Sequence, residues 1–256
     1  MNNSMEQQPI YEPPHDVIAL PSGGKFYKNK KDTVKVAYLT ASDENILTSP
    51  NLLQNGKVID VLLDAKIIDK DLRAAQMLSG DKNAVLFFLR ATGYGEMYPV
   101  ELTDPKTGKK FETEIDISTF KPKEITLSPD DNGECEFVLP KSKDKIKFKY
   151  LTAEEDEKLI KEDDARRNKM GQNAISKLLT MRLAAQITEV NGIREKSQIQ
   201  QYVEVMSVQD SGALRKYVSD NEPGLDLDIQ VEAPSGEFFF GELPITAKFL
   251  WPYIDL

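Results

Sequence analysis

The sequence predicts an α+β fold of two tandem related units, each running strands, then helices, then a closing ribbon-like β-hairpin. Three observations carry this. Tyr-Leu-Thr-Ala occurs twice, in VKVAYLTASDENIL (Val34 to Leu47) and IKFKYLTAEEDEKLI (Ile146 to Ile160). A Leu-Pro pair and a serine precede each copy, in IALPSGG (Ile18 to Gly24) and FVLPKSK (Phe137 to Lys143). Downstream, VELTDPKTGKKFETEIDISTF (Val100 to Phe120) resembles VEAPSGEFFFGELPITAKF (Val231 to Phe249) in strand, Pro- and Gly-bearing turn, alternating strand and final phenylalanine. The shared order points to an internal duplication. Strands and helices do not alternate along either copy, which argues against a wound parallel sheet.

The implied boundaries are an arm over 1–16, unit one over 17–121, unit two over 122–249 and a tail over 250–256. In unit one, Thr40 with Asp43 reads as a helix cap after a strand, because a threonine oxygen can take the amide three residues on and the acid can reach back. Val58, Leu62 and Ala65 fall at helical spacing within Gly56 to Ile67. A short helical stretch follows over Asp71 to Leu78. The next helix, Asp81 to Thr92, is apolar nearly all round and is expected to be the most buried of its unit, ending at Gly93 and Gly95. Proline and glycine then set the turn of the first hairpin.

In unit two the cap pair is Thr152 with Glu155. A long helical pattern runs from Thr152 to about Val190, charged in its first half and amphipathic over Ala174 to Ile187. Gly171 marks a bend or break, and Asn191-Gly192 stops the pattern. Acids crowd the early turns and Arg166, Arg167 and Lys169 come later, as the helix dipole favours. Two further helices are expected over Ser197 to Met206 and Ser207 to Asp220, the second capped by Ser207 with Asp210. The linker from Phe120 to Glu134 is short, so the units are expected to touch.

Composition narrows the chemistry. A formal net charge of -9 from 33 basic and 42 acidic residues opposes general nucleic-acid or anionic-membrane binding, both of which need concentrated Lys and Arg. No run reaches the length of a membrane span, and the N-terminus lacks the pattern of a signal peptide, so a soluble protein of a reducing compartment is expected. One cysteine, Cys135, and one histidine, His15, supply neither a disulfide nor a zinc site. With His15 in a Pro-flanked arm, Ser-His and Cys-His nucleophile schemes lack a base. Ser22 to Lys25 (SGGK) lacks the ending and spacing of a phosphate loop. Asp130 to Glu134 (DDNGE) lacks the further ligands of a calcium loop and reads as a turn. Acid pairs such as Glu154 with Glu155, or Asp163 with Asp164, could serve as acid and base but read first as a solvated helical face. Cys135 shares a face with Phe137 and reads as a structural thiol. No catalytic, metal or cofactor site emerges.

Four segments in order, ALPSGGKFY (Ala19 to Tyr27), LTASDENILTSPNLLQNGKVIDVLL (Leu39 to Leu63), GDKNAVLFFLRATGYGEMYPVE (Gly80 to Glu101) and KFLWP (Lys248 to Pro252), resemble the T4-type phage baseplate proteins, the hub-associated family of contractile tails. The resemblance implies Cys-Pro-x-Cys-Gly knuckles in the two hairpins, as many members of the family carry. Here the first reads Asp104-Pro105-Lys106-Thr107-Gly108 and the second contracts to Ala233-Pro234-Ser235-Gly236. The turn residues stay while the zinc ligands are gone, so packing of Phe111, Ile115, Phe238 and Phe240 or their neighbours must hold the hairpins.

The resemblance implies a non-enzymatic structural or assembly role in the virion baseplate, with a cytoplasmic stage in the host during assembly. Implied partners are other baseplate hub or wedge proteins, in multiple copies of a symmetric assembly, with no nucleic acid, no membrane insertion and no cofactor. Candidate partner-binding residues are Ile10 and Tyr11 in the polar arm and Leu250, Trp251 and Tyr253 in the tail. For the tail, docking on the chain's own core is the other reading. A subunit retained in the particle and a hub assembly factor that leaves it both satisfy the resemblance.

Overall fold

A computed structural model describes residues 14–54, 57–171, 174–245, 249–250 and 252. It is an α+β structure with eight α-helices and four small antiparallel sheets among those residues. β1 (His15–Ala19) and β2 (Thr33–Ala37) form a hairpin whose loop is the Leu-Pro-Ser stretch. His15, placed in the arm by the sequence, is therefore the first residue of β1. Asp43 takes hydrogen bonds from the Thr40 amide and hydroxyl, at 2.7 and 2.8 Å, and the chain turns through short helices α1 (Glu44–Leu47) and α2 (Pro50–Gln54). α3 (Val58–Lys66) buries Val58, Leu62 and Leu63 and ends at Ile67, which bridges back to Val36 of β2.

The stretch from Asp71 to Leu78 is not a helix beyond one 3-10 turn over Ala74–Gln76. Arg73 is extended at ψ 155, and the Ala74 amide donates to the side chain of Asp64, so tertiary bonding replaces helical bonding there. α4 (Ser79–Tyr94) buries half its residues, among them Val85, Phe87 and Leu89. It runs through Gly93 and stops at Gly95, which takes φ 88 as a helix C-cap readily does. β3 (Met97–Thr103) and β4 (Lys110–Asp116) form the first ribbon.

The second half repeats many of these details. β5 (Cys135–Val138) and β6 (Lys145–Phe148) form a hairpin around Leu139-Pro140, and Thr152 with Glu155 forms a reciprocal capping box at the start of α5 (Ala153–Met170). α6 (Leu178–Gln186) ends at Ile187, which pairs with Phe148 of β6. Val36 and Phe148 each stand four residues before their capping threonine, so the two isoleucines meet matching positions. α7 (Lys196–Val205) and α8 (Val208–Asp220) follow, with the Ser207 hydroxyl accepting from the Asp210 amide at 3.1 Å. β8 (Asp228–Glu232) and β9 (Phe238–Glu242) form the second ribbon.

The long helical pattern divides. Gly171 caps α5 at φ 93, and residues 187–190 are a strand, β7 (Ile187–Val190), added to β6. Ile187, Thr188 and Val190 are β-branched and suit a strand once β6 offers an edge. Asn191 and Gly192 form its turn with φ 49 and 87, and Val190 and Ile193 exchange both backbone bonds.

In both halves a buried aspartate at the third position of the last helix clasps the Leu-Pro loop. Asp81 accepts from the Ser22 amide at 2.8 Å and the Tyr27 hydroxyl at 2.6 Å; Asp210 accepts from the Lys141 and Ser142 amides at 2.8 and 3.2 Å. One hydrophobic core runs through both halves. Phe87 of α4 is flanked by Phe120 at 5.7 Å and Phe249 at 4.9 Å, the phenylalanines that follow the two ribbons. Phe26 meets Tyr150 edge-on at 5.0 Å. At Gly80 a Cβ would lie 1.9 Å from the Pro223 carbonyl oxygen, so only glycine lets the start of α4 approach that segment.

Candidate interaction surface

The two ribbons meet at their turns. Asp104 Oδ1 accepts from the Lys106 and Thr107 amides at 2.9 and 3.1 Å within its own turn, and from Ser235 Oγ of the other turn at 2.9 Å. Asp104 is buried. Burial pushes its carboxyl up, but the Thr107 and Lys106 amides and the Ser235 hydroxyl outweigh that and hold it below the usual carboxylate range. Turns that the resemblance associates with metal-binding knuckles are thus joined here by a charge-assisted hydrogen bond. Among the described residues no cluster of His, Cys, Asp or Glu is placed to hold a metal ion.

Alternation gives each ribbon an inner and an outer face. Tyr98, Val100, Leu102 and Ile229 are buried, with Phe111, Ile115, Val231 and Phe239 half-buried against the core. The Tyr98 hydroxyl donates to the Pro244 carbonyl at 3.1 Å, tying β3 to the chain beyond β9. Of the residues named for holding the hairpins, Phe111 and Ile115 pack inward, and on β9 it is a neighbour, Phe239, that does so in place of Phe238 and Phe240. Those two lie on the outer face, 45% and 70% exposed, with ring centroids 6.3 Å apart. Phe239 is the inward neighbour because it sits opposite Val231. Around the two rings the outer face carries Asp228, Gln230, Glu232 and Glu242.

Several of the residues screened for chemistry have structural roles. Burial and the nearby Asp130 charge push the Cys135 thiol up to about 11, away from the thiolate a nucleophile needs. Asp130 caps its own turn through the Asn132 and Glu134 amides. The Ser22 amide faces the Asp81 carboxylate, an arrangement that repels phosphate. Asp163 is the only buried residue of α5, and it binds Ser176 Oγ at 2.6 Å, the Lys177 amide at 3.0 Å and Arg166 at 2.8 Å, closing the α5–α6 connection. A cleft of about 460 Å³ between the halves is lined by Lys57, Asp60, Lys82, Asp156, Glu157 and Arg182. Six of its charges pair: Lys57 with Glu157, Lys82 with Asp60, and Arg182 with both oxygens of Asp156 at 2.6 and 2.7 Å; Glu222 also lines it, and burial pushes its carboxyl up. Hydrogen bonds from Lys161 and Lys57 hold Glu157 at about 2.

Of the candidate partner-binding residues, Ile10, Tyr11, Trp251 and Tyr253 lie outside the described residues. Leu250 is 3% exposed and belongs to the chain's own core. Sequence reasoning missed the Asp104–Ser235 contact. It named Phe238 and Phe240 or their neighbours for the packing without choosing among them, although alternation against Val231 held the signal.

A model of the family described as T4 bacteriophage base plate protein matches residues 13–237. No curated protein and no solved structure matches.

Proposed function

Because the chain belongs to the T4 bacteriophage base plate protein family, we propose that it is a structural component of a contractile-tail baseplate, near the hub, acting as a non-catalytic protein–protein scaffold. The family match carries this reading. The structure supports it through what its polar groups do. Of the acids that could have formed an acid–base pair, Glu155 closes a helix cap and Asp163 and Asp164 pair with arginines, which suits a rigid part. Ile10, Tyr11, Trp251 and Tyr253, at the two ends, remain the proposed anchors for hub or wedge neighbours. Multiple copies around a symmetric baseplate would give such contacts avidity.

The test is quantitative mass spectrometry of purified virions, normalised to a tail-tube protein. A constant copy number in small multiples of three or six is expected. Absence from particles, with assembly failing when the gene is disrupted, would instead identify a hub assembly factor that leaves before maturation.

A further inference from the structure

The four strands of the two ribbons each pair on one side only, which leaves four open edges among the described residues. Open edges invite foreign strands, and proteins guard them with proline and charge. Antiparallel pairing alternates between residues that bond across the ribbon and residues whose amides and carbonyls turn outward. The bonds from the Asp104 amide to Lys109 and from the Ala233 amide to Glu237 fix that phase. β3 therefore turns Met97, Pro99, Glu101 and Thr103 outward, and Pro99 has no amide to offer. β4 turns out Lys110, Glu112, Glu114 and Asp116, and β8 turns out Asp228, Gln230 and Glu232. β9 differs: its outward residues are Phe238, Phe240 and Glu242. Three edges are guarded, and the fourth carries two exposed phenylalanines.

On β9 the residues with unpaired backbone groups are also those whose side chains stand on the outer face, so one incoming strand could use both. Its side chains would lie beside Phe238, Phe240 and Glu242, with Asp228 and Glu232 one strand further on. That distance is within the roughly 10 Å over which exposed charges act at about 0.1 M salt. No lysine or arginine stands on the outer face of this ribbon among its described strand residues.

We propose that β9, Phe238 to Glu242, is an acceptor edge for an extended segment of a neighbouring protein, apolar at its centre and basic at its ends. The segment adds a third strand to the ribbon. Backbone bonds to residues 238, 240 and 242 give it affinity, and the rings and acids select its sequence. This deepens the scaffold reading and rests on it for the identity of the neighbour, but not for the existence of the edge.

The experiment follows backbone amide exchange by NMR in the full chain. The probes are two synthetic heptapeptides of alternating valine and threonine, one ended by lysines and one by glutamates. The lysine-ended peptide is expected to slow exchange at the amides of Phe238, Phe240 and Glu242, with at least tenfold tighter binding than its glutamate-ended counterpart. Phe238→Ser with Phe240→Ser should abolish the effect while leaving the melting temperature unchanged, since both rings are exposed. Equal binding of the two peptides, or no slowing at β9, would overturn the proposal. So would protection of those amides that rises with protein concentration and no peptide, which would make a second copy the occupant. Absence of the protein from virions would defeat the retained-subunit reading and leave this result standing.

Discussion

Ser235 Oγ lies 2.9 Å from Asp104 Oδ1, a hydrogen bond between turns that stand 131 residues apart in the chain. The same carboxylate holds its own turn through two amides, so one side chain sets the shape of one ribbon tip and fastens the other. Asp104→Ala should lower the melting temperature more than Ser235→Ala, which removes one bond of the three. The Asp104 carboxyl is held below its ordinary value, so its contribution is present above about pH 3.9 and is lost as pH falls through the folded value. Thermal melts across that range should show a steeper acid loss for the native protein than for Asp104→Ala.

Gly80→Ala sets two effects against each other. Helix propensity favours alanine by about 1 kcal/mol inside a helix. The new Cβ, however, would sit 1.9 Å from a backbone oxygen of Pro223, which cannot rotate away. Overpacking of that kind costs typically about 1–3 kcal/mol and sometimes more, so net destabilisation is expected. Urea unfolding measures it, and a more stable variant would refute the close approach.

Asp81 is a buried acid that burial raises above its usual range, against the pull of hydrogen bonds from Ser22 and Tyr27. Its charged form is therefore costly in the folded state. As pH falls from the raised folded value toward the ordinary value near about 3.9, folding gains stability from this group. Asp81→Asn should lack that gain, which comparison of urea unfolding at stepped pH would reveal. Asp81→Ala strands the Ser22 amide and Tyr27 hydroxyl and should cost about 2–3 kcal/mol.

Asp163 closes the α5–α6 connection through Ser176, Lys177 and Arg166. The Ser176 hydroxyl, the Lys177 amide and Arg166 hold its carboxyl well below the usual range, so the clasp stays charged through mild acid. Asp163→Ala should speed limited proteolysis between Gly171 and Lys177 with little change in the global melting transition. Unchanged cleavage would show that packing of α6, and not this carboxylate, fixes the connection.

Local chemistry was legible in the sequence where the signal is local. The Thr152–Glu155 box, the Ser207 cap and both ribbons followed from residues only a few positions apart. β7 was not legible, because Ile187 to Val190 continue an amphipathic helical pattern and become a strand only where β6 offers an edge. The Asp71 to Leu78 stretch failed for a related reason, its first helical amide being taken by Asp64. Asp104 and Ser235 were visible as turn residues, but nothing local brings them together. Only the packing of the two ribbons does that.

Phe249 lies against Phe87 of α4 and, at 5.0 Å, against Tyr98 of β3. A residue near the C-terminal end thus completes the part of the core built by α4 and β3. During synthesis, chains fold domain by domain as they emerge. Here α4 and β3 would leave the ribosome with a gap beside Phe87 and wait for residue 249 to fill it. A nascent or truncated chain without Phe249 would keep that aromatic pocket beside Phe87 and Tyr98 open.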